Sequence, residues 1–157
     1  GLGDVYKRQK HALSAAVLSL AMRSREIHRT YQAFALGETA ASGTIDAPIA
    51  RLDGSLIQRT VDFASGERSV THYRTLAHCS VFSHLELNLE TGRTHQIRVH
   101  MAYIGHPLLG DTLYNKTPGT FPRQALHSAS LSFVHPITGE PLNFHAPLPE
   151  DMQNLLT

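Results

Sequence analysis

The 157 residues carry 14 Lys plus Arg against 13 Asp plus Glu, a formal charge of +1 with 11 His neutral. A hydrophobic fraction of 41% suffices for the core of one domain and excludes a disordered chain. A single cysteine, Cys79, excludes a disulfide scaffold and fits a reducing, cytoplasmic setting with the thiol buried as a small apolar group, and no apolar run reaches the roughly 18 residues of a membrane helix.

The chain opens Gly1-Leu2-Gly3-Asp4 without an initiator Met. Residues 4–9 resemble a translated sequencing adapter, so residues 1–9 are expected to be a non-native leader. Leu13, Val17 and Leu20 at i, i+4 and i+7 predict a helix over 10–25. Its end supplies a basic cluster of Arg23, Arg25, His28 and Arg29, which by itself does not announce nucleic acid.

Residues 28–36 read as a strand with Tyr31, Ala33 and Ala35 on one face and Gln32, Phe34 and Leu36 on the other. Residues 39–54, with Gly43, Pro48 and Gly54, read as loop, and Gly66-Glu67 as a turn. Residues 69–77 and 81–90 read as two strands joined by a link short enough for antiparallel pairing. In the second, Val81, Leu85, Leu87 and Leu89 alternate with Phe82, His84, Glu86 and Asn88, which predicts a sheet with one buried face. Thr94 is placed to cap a helix over 95–104, with Ile97, Met101 and Ile104 towards the sheet and Gly105 as its stop. Residues 126–134 and 142–145 read as a hairpin around His135–Gly139. The expected class is α+β, a mixed, largely antiparallel sheet with few flanking helices.

The chemistry concentrates in Leu89-Glu90-Thr91-Gly92-Arg93-Thr94-His95-Gln96-Ile97-Arg98-Val99-His100. A helix N-terminus attracts anions, and Arg93 and His95 stand at this one. Arg98 lies beside the apolar stripe, so a partly desolvated guanidinium there demands a carboxylate or phosphate partner. A structural pair with Glu86 or Glu90 is the plain alternative. A solvated helix start with surface charge is the plain reading of the whole cluster. Metal binding by His95, His100 and His106 is weaker, because His95 and His100 are five apart and face different ways on a helix, and no Cys or carboxylate completes a familiar spacing.

Residues 90–100, followed by Ile104-Gly105-His106-Pro107-Leu108-Leu109-Gly110-Asp111, closely resemble the signature of the RluA-type RNA pseudouridine synthases. Arg29-Thr30-Tyr31-Gln32-Ala33 resembles that family's tyrosine motif. Ala47-Pro48-Ile49, Val70-Thr71-His72-Tyr73, Arg123-Gln124-Ala125-Leu126-His127 and Phe144-His145-Ala146-Pro147-Leu148-Pro149 follow in order, so the likeness spans residues 10–157. The resemblance implies isomerisation of uridine to pseudouridine in ribosomal or transfer RNA, with no metal, organic cofactor or membrane. It implies Tyr31 and Arg98 as catalytic residues and Arg93, His95, Gln96 and Leu108 as substrate-binding ones. Arg98 would pair with the family's catalytic Asp.

That Asp belongs to a His-Arg-Leu-Asp motif absent from this sequence. Residues 10–157 are therefore expected to be a partial catalytic domain, inactive as it stands. In a full-length form Arg98→Met is expected to stop turnover and leave the fold intact. The rivals are a non-catalytic RNA-binding module and a His-dependent metal hydrolase. An upstream S4-like domain, the RNA target and the oligomeric state are left open.

Overall fold

The computed structural model describes residues 27–135 and 138–157. The expected leader, the helix over 10–25, and Arg23 and Arg25 lie outside them. Ten elements follow in order. They are β1 (His28–Leu36), β2 (Ser42–Asp46), β3 (Ile49–Arg51), β4 (Arg59–Val61), β5 (Val70–His78), β6 (Phe82–Leu89), α1 (Gln96–Tyr103), β7 (Leu126–Val134), β8 (Pro141–His145) and α2 (Glu150–Gln153). Six strands form one sheet in the order β2-β5-β6-β1-β7-β8, and β3 and β4 form a separate two-stranded ribbon. All pairings of the named strands are antiparallel. The α+β architecture is thus as the patterning predicts.

Alternation along β1 decides what covers the sheet. Ala33 and Ala35 join Leu85, Leu87, Ile97, Met101 and Leu108 in one buried cluster, with Tyr31 packed at its margin. Phe34 enters a second cluster with Leu109, Ala125 and Met152, flanked by Leu36 and Phe82. The sheet is therefore covered on both faces, not on one. The residues expected to be solvated on β6 show why. His84 stacks on Phe34 at 4.5 Å between centroids and bonds Gln32 at 3.0 Å, so its ring is held in the second cluster. Burial of that imidazole lowers its pKa.

Three further expectations change. Residues 39–54 are not irregular: β2 pairs with β5 and β3 with β4. Val81 falls outside β6 and is exposed. Cys79, in the short link between β5 and β6, is exposed and not buried. No helix among the described residues is long and apolar enough to cross a membrane.

Helix α1 docks where it must. Ile97 and Met101 are buried against the sheet, as their spacing predicts. At its end Gly105 has φ +87°, and the amides of Gly105 and His106 reach the carbonyls of Ala102 and Met101. That is the paired closure of a Schellman stop, with Gly in the left-handed position that L side chains resist.

Candidate active site

The start of α1 is set by a buried amide, not by Thr94. The capping position is His95, which makes no side-chain cap. It is the one non-glycine residue with positive φ among those described, at +57°. Gln96 is buried and fully bonded. Its Oε1 accepts from the Arg93 amide at 3.0 Å and the Thr91 hydroxyl at 2.9 Å, while its Nε2 donates to the Val70 carbonyl at 2.9 Å and Thr71 Oγ1 at 3.0 Å. Loop 91–93 is thereby tied to β5. His100 extends the same network. Its Nε2 donates to the Ala47 carbonyl at 2.8 Å, so its Nδ1 accepts from the Thr71 hydroxyl at 2.8 Å.

One turn into α1, Arg98 finds its carboxylate. Nε and Nη2 donate to Asp111 at 2.7 and 2.8 Å, a two-pronged pair with side-chain exposures of 13% and 0%. Asp111 also accepts the amides of Leu113 at 3.0 Å and Tyr114 at 3.2 Å. Burial works against its charge, but the Arg98 guanidinium and these amides outweigh it and hold the carboxyl below the usual range. The hydrogen bonds that Arg98 donates to Asp111 likewise raise the pKa of Arg98. Gly110 makes the approach possible: its φ is +67°, and a Cβ there would meet the Arg123 carbonyl oxygen at 1.9 Å.

Tyr114 forms the other wall. Its ring lies 4.9 Å from the Arg98 guanidinium carbon, a cation–π contact. The Arg59 amide donates to its oxygen at 2.9 Å, and His95 Nδ1 lies 2.8 Å from the same oxygen. The phenol oxygen is thus held from two sides, by the Arg59 amide and by the His95 ring. Burial, then the Arg98 and Arg59 charges, lower the His95 pKa and favour the neutral ring. Tyr114→Phe leaves the Arg59 amide without its acceptor, and a loss of about 1–2 kcal/mol is expected in urea unfolding.

Arg98 thus has two prongs spent and a ring on one side. Among the described residues nothing bonds its Nη1. Two hollows flank loop 90–94. One of about 220 Å³ is lined by Arg29, Leu89, Glu90, Thr91 and Gly92, and a cleft of about 560 Å³ lies towards the β3–β4 ribbon. Tyr31, two residues along β1 from Arg29, packs on the face of the sheet that α1 covers.

The model of the RNA pseudouridylate synthase family matches residues 10–103. The chain belongs to that family, in its RluA-type branch. It is 49% identical over 148 residues to the uncharacterized RNA pseudouridine synthase YjbO of Bacillus subtilis, covering 94% of this chain and 52% of that protein. It is 44% identical over 149 residues to ribosomal large subunit pseudouridine synthase D of Escherichia coli K12, covering 86% and 45%. The chain therefore spans about half the length of the curated relatives it matches. A solved structure of human RNA pseudouridylate synthase domain containing 1 superposes with a TM-score of 0.72 at 26% identity, over 85% of this chain and 59% of that one.

Within this synthase fold the residues singled out by sequence take different stations. Arg98, His95 and Arg93 gather at the start of α1. Arg93 pairs with Glu67 and donates to the Arg68 carbonyl. Gln96 is engaged wholly with protein groups, and Leu108 is completely buried in the core. Glu86 and Glu90, the alternative partners for Arg98, pair instead with Arg74 and with Arg68 and His72. His95, His100 and His106 do not converge: each is bonded to a different protein group, and no group of three metal-ligating side chains occurs among the described residues. Asp111 and Tyr114 escaped the sequence reading, although Gly110-Asp111 closed its signature stretch.

Proposed function

We propose that the full-length protein isomerises uridine to pseudouridine in structured RNA, ribosomal or transfer, in the cytoplasm. The 157-residue chain carries the arginine side of the catalytic pocket. The buried Arg98–Asp111 pair is the observation that carries this reading. Asp111 takes Nε and Nη2 and leaves Nη1 to hold a second acid. In the RluA-type family that acid is the Asp of the His-Arg-Leu-Asp motif, which these 157 residues lack.

The reaction exchanges the C1′–N1 bond for a C1′–C5 bond and moves the C5 proton, with no net redox change. The missing Asp starts the exchange as nucleophile or base. Tyr31 stacks on the uracil and helps to take the C5 proton. The target base is flipped out of its stack to reach them. His95 and Arg93 meet the RNA at the helix start. Gln96 acts through the loop it holds, and Leu108 through the core behind the pocket.

Tritium release from RNA containing 5-tritiated uridine tests this. No release is expected from the chain alone. Release is expected from a longer polypeptide in which a His-Arg-Leu-Asp segment precedes residue 10. In that protein Arg98→Lys keeps the charge but loses the fork, and release is expected to fall by about 10²-fold or more. Turnover by the chain alone would overturn its inactivity. A longer polypeptide silent on every RNA would overturn the reaction.

A further inference from the structure

The β3–β4 ribbon holds an arrangement that the chemistry above does not use. Arg51 and Arg59 are direct cross-strand partners. Like charges in that position repel, so the pair weakens the ribbon that carries it. Arg59 turns Nη1 onto the carbonyls of Ile57 and Gln58. Arg51 is exposed, with no partner among the described residues. Both line the 560 Å³ cleft, and Arg93 closes its opposite side with Ser65 and Thr94. Among the described residues Glu67 is the one carboxylate lining it, and it is already paired with Arg93. Three guanidinium groups from three separate segments thus share one cleft, with positive charge in excess.

Two of the segments that line the cleft are joined to the candidate active site. Arg59 gives its backbone amide to Tyr114, whose ring carries Arg98. Arg93 and Thr94 lead directly into α1. Planar, forked donors suit the paired oxygens of a phosphodiester better than they suit a compact anion.

We propose that this cleft is a phosphodiester subsite for the RNA strand flanking the target nucleotide, with Arg51 and Arg59 as its phosphate ligands. The proposal rests on the RNA reading above and deepens it. It also explains the like-charge pair: repulsion in the free ribbon is relieved when a polyanion lies between the two side chains.

The test is fluorescence anisotropy of a labelled RNA hairpin titrated with the 157-residue chain across a range of KCl concentrations. Arg51→Gln, Arg59→Gln and the double variant are compared with Arg74→Gln. Arg74 pairs with Glu86 and lies beside core-packed Tyr73 on β5, hence on the opposite face of the sheet. Each cleft variant is expected to weaken binding about five- to tenfold and to lower the salt slope by about 0.7–0.9, with Arg74→Gln unchanged. Arg51→Gln is further expected to keep or raise the melting temperature, because it removes repulsion. If the cleft variants bind like Arg74→Gln, the subsite is overturned and the RNA reading stands. A fall in melting temperature for Arg51→Gln also overturns it. A wild-type chain that binds no RNA overturns the subsite together with the reading beneath it.

Discussion

Arg98→Met is expected to destabilise the domain by about 3–5 kcal/mol, and Arg98→Met combined with Asp111→Leu to recover most of that loss. The asymmetry follows from burial. The Asp111 side chain is 0% exposed. Without the guanidinium it keeps only the Leu113 and Tyr114 amides, too little to hold a charge away from water. Removing both charges removes the desolvation cost with the attraction. Urea unfolding of the native chain, Arg98→Met, Asp111→Leu and the double variant at pH 7 gives the coupling directly, and losses that simply add would refute the pair as drawn. The acid limb gives a second readout. In the native chain the Asp111 carboxyl lies below its ordinary 3.8. Its contribution is therefore present above that value and lost as pH falls through the folded value. In Arg98→Met the loss begins at higher pH. The buried pair therefore predicts a cost in stability where the sequence alone leads one to expect an intact fold. Arg98→Lys is the fairer probe of chemistry.

What could be read in advance was whatever had a period. Alternation along β1 sorted Ala33 and Ala35 from Phe34 correctly, and the i, i+4 spacing of Ile97 and Met101 found the buried face of α1. Those signals fade where structure depends on a single distant partner. Thr94 satisfied the local rule for a cap, but Gln96 holds loop 91–93 through Val70 and Thr71, about 25 residues back in the chain. Burial beside an apolar stripe demanded a carboxylate or phosphate partner for Arg98, and Asp111 is a carboxylate. Its identity was out of reach, because Asp111 sits in an irregular loop positioned by Gly110 and the Arg123 backbone. The strands β2 and β3 were missed for a similar reason. They are short, interrupted by Gly43 and Pro48, and exist through pairing with β5 and β4.

Replacing His100 by Phe is expected to cost about 2–5 kcal/mol at pH 7, because a ring of similar size strands the Thr71 hydroxyl and the Ala47 carbonyl in the core. The same change should flatten the acid side of the stability curve. Burial is the main reason that native His100 has its pKa below the ordinary 6.5, against the Ala47 carbonyl, which favours the cation. Above pH 6.5 neither state takes the proton and the network is fully in place. As pH falls below 6.5 the unfolded chain takes up a proton that the native one refuses. Stability then drops by up to about 1.4 kcal/mol per pH unit until the folded value is reached. His84 and His95, lowered chiefly by burial, act with the same sign. Unfolding free energies between pH 8 and pH 5 test this: His100→Phe should lower the slope in this window, by at most one proton's worth, and leave the Asp111 limb, below 3.8, unmoved. An unchanged slope would mean that the imidazole is not the titrating group. Its ring ties α1 both to β5, through Thr71, and to the Ala47 backbone between β2 and β3, so its protonation strains the support on which Gln96, the 91–93 loop and finally Arg98 depend.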